Sequence, residues 1–137
     1  MGRILAIDYG SKRTGIAVTD PLQIIATGLT TLDTKDAFEF LKQYIPTEGV
    51  EKIIIGIPVN WDESETHGTA GAVNFRNRLR NAFPAIPVEG VDERFTSKMA
   101  KDAMLQMGLK KKDRQDKKTV DRIGATIILQ EYLATRG

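Results

Sequence analysis

Ile4-Leu5-Ala6-Ile7 is a short continuous apolar run that stops at a carboxylate, Asp8. A run of that length, bounded by turn residues, predicts a buried strand. Tyr9-Gly10-Ser11 form a turn, and Gly15 to Thr19 return as a second strand. Asp20-Pro21 marks the next turn. Gln23 to Leu32, carrying Ile24, Ile25, Thr27, Leu29 and Thr31, predicts a third strand antiparallel to the second. The period then changes. Asp33-Thr34 offers a helix N-cap, Ala37, Phe38, Leu41, Tyr44 and Ile45 recur at helical spacing, and Gly49 closes the helix. Lys52 to Pro58 is rich in isoleucine and too short for a helix, which predicts a buried parallel strand.

Asn60 to Gly71 reads as a polar loop leading into a helix striped by Ala72, Phe75, Leu79 and Phe83. Arg76, Arg78 and Arg80 lie off that stripe, and Pro84 and Pro87 end the helix. Val88 to Val91 predicts a last strand that delivers Asp92-Glu93-Arg94. Thr96 or Ser97 caps a helix through Met107, and Gly108 stops it. A final helix from about Thr119 to Ala134 is expected to bury Val120, Ile123, Ile127 and Ile128. The pattern predicts an α/β fold: a five-stranded mixed sheet, an antiparallel three-strand meander plus two parallel strands, flanked by helices. In the parallel parts of such sheets, sites gather beyond the carboxyl ends of the strands. Asp8 and Asp92-Glu93 stand at such ends, and right-handed crossovers bring them to one edge.

Length and charge sharpen this picture. At 137 residues the chain is one domain's worth. The absence of cysteine excludes disulfides and thiolate metal sites. The start of the chain has no signal-peptide pattern, and the apolar runs are far shorter than a membrane span. A cytoplasmic protein without a membrane partner is the expectation. The net charge of +2 is uneven, because residues 110–118 read KKKDRQDKK. Lys110, Lys111, Lys112, Arg114, Lys117 and Lys118 against two aspartates make a local +4, leaving −2 for the rest. Such a segment suits an anionic partner, or is simply a solvated loop.

The candidate chemistry lies in the acids: Asp8, the Asp92-Glu93 pair, and Asp121 near the start of the last helix. Converging carboxylates without cysteine make a hard-oxygen site that favours Mg²⁺ or Mn²⁺ over zinc. Two such ions clamp the attacking and leaving oxygens of a phosphodiester displacement. Each acid also has a plainer reading. Asp8 could cap a turn, Asp121 could answer a helix dipole, and Asp92-Glu93-Arg94 could be a surface ion cluster. Strand alternation decides which of Asp92 and Glu93 faces a site. Lys12 and Arg13, just past Asp8, could neutralise phosphate or be solvated turn residues. Trp61 could stack on a base or anchor its loop, and the lone His67 lies in the same loop.

These residues resemble the YqgF (RuvX) family, related to the RuvC-type Holliday junction resolvases within the RNase H-like superfamily. The resemblance covers nearly the whole chain. It rests on the stretch from Ile7 to Val18, on Gly56-Ile57-Pro58, on Asp92-Glu93-Arg94-Phe95-Thr96, and on Asp121 to Leu133. It implies an RNase H-like sheet and a metal-dependent nuclease that matures the 5′ end of the pre-16S ribosomal RNA. Holliday junction resolution on branched DNA is the alternative. By motif position the catalytic, metal-holding acids fall on Asp8, Glu93 and Asp121, with Asp92 as a fourth metal ligand. Arg94 and Arg13 would assist at the scissile phosphate. Where RuvC-type resolvases carry an acid at the end of the fourth strand, this chain reads Gly56-Ile-Pro-Val-Asn60.

Two other readings compete. Asp8-Tyr9-Gly10 followed by Thr14-Gly15 also resembles the phosphate loop of actin-like ATPases and sugar kinases, which close two such domains around a nucleotide. A non-catalytic nucleic-acid-binding module would keep the fold without needing separated acids. A monomer or weak homodimer is expected, a stable dimer lending support to the resolvase.

Overall fold

The computed structural model describes residues 2–58, 68–92 and 117–135. Five strands form one sheet in the order β3-β2-β1-β4-β5. β1 (Arg3–Asp8), β2 (Arg13–Thr19) and β3 (Ala26–Asp33) pair antiparallel as a meander, while β4 (Val50–Ile57) and β5 (Val88–Asp92) add parallel to β1 and to each other. α1 (Thr34–Glu48) and α2 (Thr69–Ala82) are the crossover helices, and the last helix, here α3 (Lys117–Thr135), lies on the opposite face. The expected mixed sheet is thus the one observed.

Strand alternation splits the core in two. Leu5, Ile7, Ile16, Ile53, Ile55 and Val88 point toward α1 and α2, where Ala37, Phe38, Leu41, Ile45, Phe75 and Leu79 meet them. Ile4, Ala6, Ala17 and Ile54 point the other way, under Ala125, Ile128 and Leu129 of α3. α3 lies chiefly over β1, β2 and β3, and α2 over β4 and β5. No helix among the described residues is long and apolar enough to cross a membrane.

Several expectations need correction. The third strand starts at Ala26, not Gln23. The Asp20 carboxylate accepts the backbone N–H groups of Leu22, Ile24 and Ile25, so residues 20–25 close into a turn and those three apolar side chains face solvent. Side-chain-to-backbone bonds of this kind compete with the strand ladder. Gln23 takes a positive φ of 61° there and buries its side chain, donating to the carbonyl of Gly2 and to Glu51. Asp33 occupies the N-cap position of α1 but makes no side-chain cap bond. Gly49 ends that helix in the left-handed conformation (φ 67°), as a C-terminal glycine should.

α3 begins at Lys117, so Lys117 and Lys118 stand in its first turn rather than in the preceding loop. Its buried side centres on Ala125, Ile127, Ile128 and Leu129, with Ile123 half-buried. The side chain of Val120 is outside the described residues, as are the loop with Asn60, Trp61 and His67, the helix expected over 96–107, and Glu93, Arg94, Lys110, Lys111, Lys112 and Arg114.

Candidate active site

The parallel strands β1, β4 and β5 end on the same edge of the sheet, at Asp8, Ile57 and Asp92. The N-termini of α1 and α2 meet that edge too, since α1 follows directly from β3 and Thr69 donates its hydroxyl proton to the carbonyl of Pro58. Asp8 is half-buried and belongs to the central strand, hydrogen-bonded on both sides. It is in phase with Ile4 and Ala6, so it stands on the α3 face. Its lateral partners are Gly15 on β2 and Gly56 on β4.

The chain leaves Asp8 under tight control. Tyr9 turns to the opposite face and packs on Phe75 of α2, with ring centroids 5.3 Å apart. Gly71 of α2 makes room for it: a Cβ there would sit 2.8 Å from the tyrosine ring. The turn after Tyr9 is tied to α1. The Thr34 hydroxyl donates to the Gly10 carbonyl (2.5 Å), and the Thr34 N–H donates to the Lys12 carbonyl (2.9 Å). Because Thr34 has spent its only hydroxyl proton, buried Thr14 is the donor in the 2.9 Å Thr14–Thr34 bond. Asp8 is therefore held by strands on both sides and by a turn anchored to both crossover helices, which is the rigidity a reacting site needs. Sequence reading took Thr34 for a cap and missed Tyr9 and Gly71. Their roles depend on contacts between segments more than twenty residues apart.

Arg13 opens β2, half-buried, two residues before Gly15 and on the same face as Asp8. Lys12 is exposed in the turn. Asp121 falls in the second turn of α3, four residues before Ala125, on the helix side that meets the sheet. Ala6 and Ala125 share one cluster. From Ala6, Asp8 lies about 6.5 Å further along the strand, and from Ala125, position 121 lies about 6 Å further along the helix. α3 runs with its N-terminal end toward the edge where Asp8 stands, because Tyr132 near its other end meets Lys52 at the start of β4. Positions 88, 90 and 92 of β5 alternate onto the α2 face, whereas Val91 packs with the α3 cluster. Asp92 is thus out of phase with Asp8. Among the described residues no three His, Asp or Glu side chains converge; Glu93 and the side chains of Asp92, Lys117, Lys118 and Asp121 lie outside them.

An oxygen donor on a rigid strand end, flanked by bare backbone and free of thiol competitors, fits a small hard cation. Comparison with known proteins agrees with this layout. A family model described as "RuvX: Holliday junction resolvase" matches residues 2–135. A protein of Phocaeicola vulgatus named "Putative pre-16S rRNA nuclease" is 57% identical over 99% of this chain and 98% of its own length. A Bacteroides fragilis protein of the same name is 53% identical over 99% of both chains. Among solved structures, Thermus thermophilus RuvC in complex with a Holliday junction substrate aligns with a TM-score of 0.59 at 18% identity, over 99% of this chain and 96% of that one. That likeness establishes the shared fold, while the family match and the full-length relatives establish kinship: this chain belongs to the RuvX family.

Proposed function

We propose that the protein is a metal-dependent endonuclease that hydrolyses phosphodiester bonds in structured RNA, processing the 5′ end of the pre-16S ribosomal RNA. The observation that carries this reading is the placement of Asp8, a half-buried carboxylate fixed at the end of the central strand on the α3 face, in a chain whose full-length relatives bear that nuclease name.

Asp8, Glu93 and Asp121 are the residues that would hold Mg²⁺ or Mn²⁺. The phase of β5 favours the residue after Asp92 as the partner of Asp8, which assigns the inner role to Glu93 and an outer one to Asp92. The chemistry such an ion supplies is activation of water and neutralisation of phosphate charge. Arg13, on the face of Asp8, and Lys12 and Arg94 beside it offset the charge that builds on the phosphoryl oxygens as water adds and the P–O bond breaks. Lys110, Lys111, Lys112, Arg114, Lys117 and Lys118 grip flanking phosphates, giving salt-dependent, sequence-blind affinity.

The family description favours a second substrate, branched DNA. Both are decided by one assay. A labelled precursor RNA fragment and a four-way DNA junction are incubated with Mn²⁺ or Mg²⁺, using the native protein and Asp8→Asn. Cleavage of the RNA that falls to background in the variant, with the fold intact by circular dichroism, is the expected result. Cleavage of the junction alone transfers the reading to DNA, and equal binding without cleavage by both proteins overturns it.

A further inference from the structure

On the α3 face, one row runs across the sheet at the level of Asp8. The register makes it Thr31, Gly15, Asp8, Gly56, Val91. Both immediate neighbours of Asp8 therefore lack side chains. The next row inward, Gly28, Ala17, Ala6, Ile54, Glu89, carries a methyl or more beside Ala6 on both sides.

Backbone conformation does not account for the two glycines. Both sit inside strands, and the only positive-φ glycine among the described residues is Gly49. Any residue could adopt their geometry, and glycine within a strand costs roughly 0.5–1 kcal/mol relative to alanine. A glycine kept there marks a place where a ligand or another backbone comes close. Cβ atoms of laterally paired strand residues stand about 4.5–5.5 Å apart. Side chains at 15 and 56 would thus occupy the flanks of the Asp8 carboxylate, in the space a hydrated ion and a phosphate must share.

We propose that Gly15 and Gly56 are positioning residues, kept bare so that the Asp8 carboxylate can take a divalent cation with its remaining waters and a phosphodiester beside it. Mg²⁺ and Mn²⁺ demand near-octahedral surroundings and give up water reluctantly. A methyl on either flank removes room for those ligands without touching the carboxylate. This rests on the metal-dependent reading of the same site, and the test separates the two.

Mn²⁺ binding to the full chain is titrated by electron paramagnetic resonance of the free ion, for the native protein, Asp8→Asn, Gly15→Ala, Gly56→Ala and Gly28→Ala. Gly28 is the control, opposite Ala17 on the same face and one row further from the edge. Thermal melting of each variant is read alongside. The expected result is Mn²⁺ affinity weakened roughly tenfold to a hundredfold in Gly15→Ala and Gly56→Ala, with Gly28→Ala binding as the native protein does. If the native protein binds Mn²⁺, Asp8→Asn does not, and the Gly15 and Gly56 variants bind normally while melting earlier, the glycines serve helix packing and the proposal falls alone. If the native protein and Asp8→Asn bind alike, the metal site at Asp8 falls and takes the proposal with it.

Discussion

The two faces of the sheet are made by the same strands yet built to different rules. Toward α1 and α2 the strands present Leu5, Ile7, Ile53 and Ile55, all fully buried. Large branched side chains fill that layer, and the aromatic chain Tyr9–Phe75–Phe38 continues it to the edge. Toward α3 the central strands present Ala6, Ala17 and Gly15. Small residues there let the helix lie close, and a close helix brings the position of Asp121 toward Asp8. The first face supplies most of the apolar burial. The second gives up burial to place polar groups. Stability and chemistry can thus be perturbed separately.

The largest stability effect should come from the first face. Ile55→Ala removes a fully buried side chain from the middle of the sheet and should cost about 2–5 kcal/mol. The melting temperature should fall on the order of 10 °C. Well below the transition, cleavage by the folded protein should be nearly unchanged, because α3 does not rest on that residue. An equal loss of activity at low temperature would show that the faces are coupled.

The second face should respond the other way. Ala17→Leu forces extra volume beneath α3 and should cost about 1–3 kcal/mol. Activity should fall out of proportion, since the helix that carries Asp121 is displaced from the strand that carries Asp8. Chemical denaturation and cleavage rates measured on the same samples would reveal it, and activity that tracks stability alone would remove the distinction.

The smallest effect belongs to the far end of the sheet. The backbone N–H of Ile25, then that of Ile24, hold the Asp20 carboxyl below the usual 3.8 of an aspartate. A depressed folded-state pKa adds stability that is present above the unfolded value and is lost as pH falls through the lowered one. The urea midpoint should therefore decline below about pH 4 slightly more steeply in the native protein than in Asp20→Asn. Because Asp20 is solvent-exposed, the difference will be small.

Much of this architecture was legible in the chain. Isoleucine runs and helical stripes announced every described element, because burial imposes a period of two on strands and 3.6 on helices. The errors fell where local side chains competed with the backbone. Ile24 and Ile25 look like strand residues, but Asp20 draws their amides into a turn. Asp33 looks like a cap, but the work is done by Thr34, which reaches across to Gly10. Asp8 stood out as a carboxylate ending a buried run. Its bare neighbours did not, because Gly15 and Gly56 are linked to it only by register.

By itself the sequence determined the sheet, its helices, the acidic residues at strand ends and the family, since these follow from local pattern and motif. Tertiary structure decided which acids share a face. Alternation is a property of each strand alone, but the phase between strands is set by hydrogen-bond register, which no single segment contains. That register puts Asp8 in phase with Val91 and out of phase with Asp92, and frames Asp8 between two glycines.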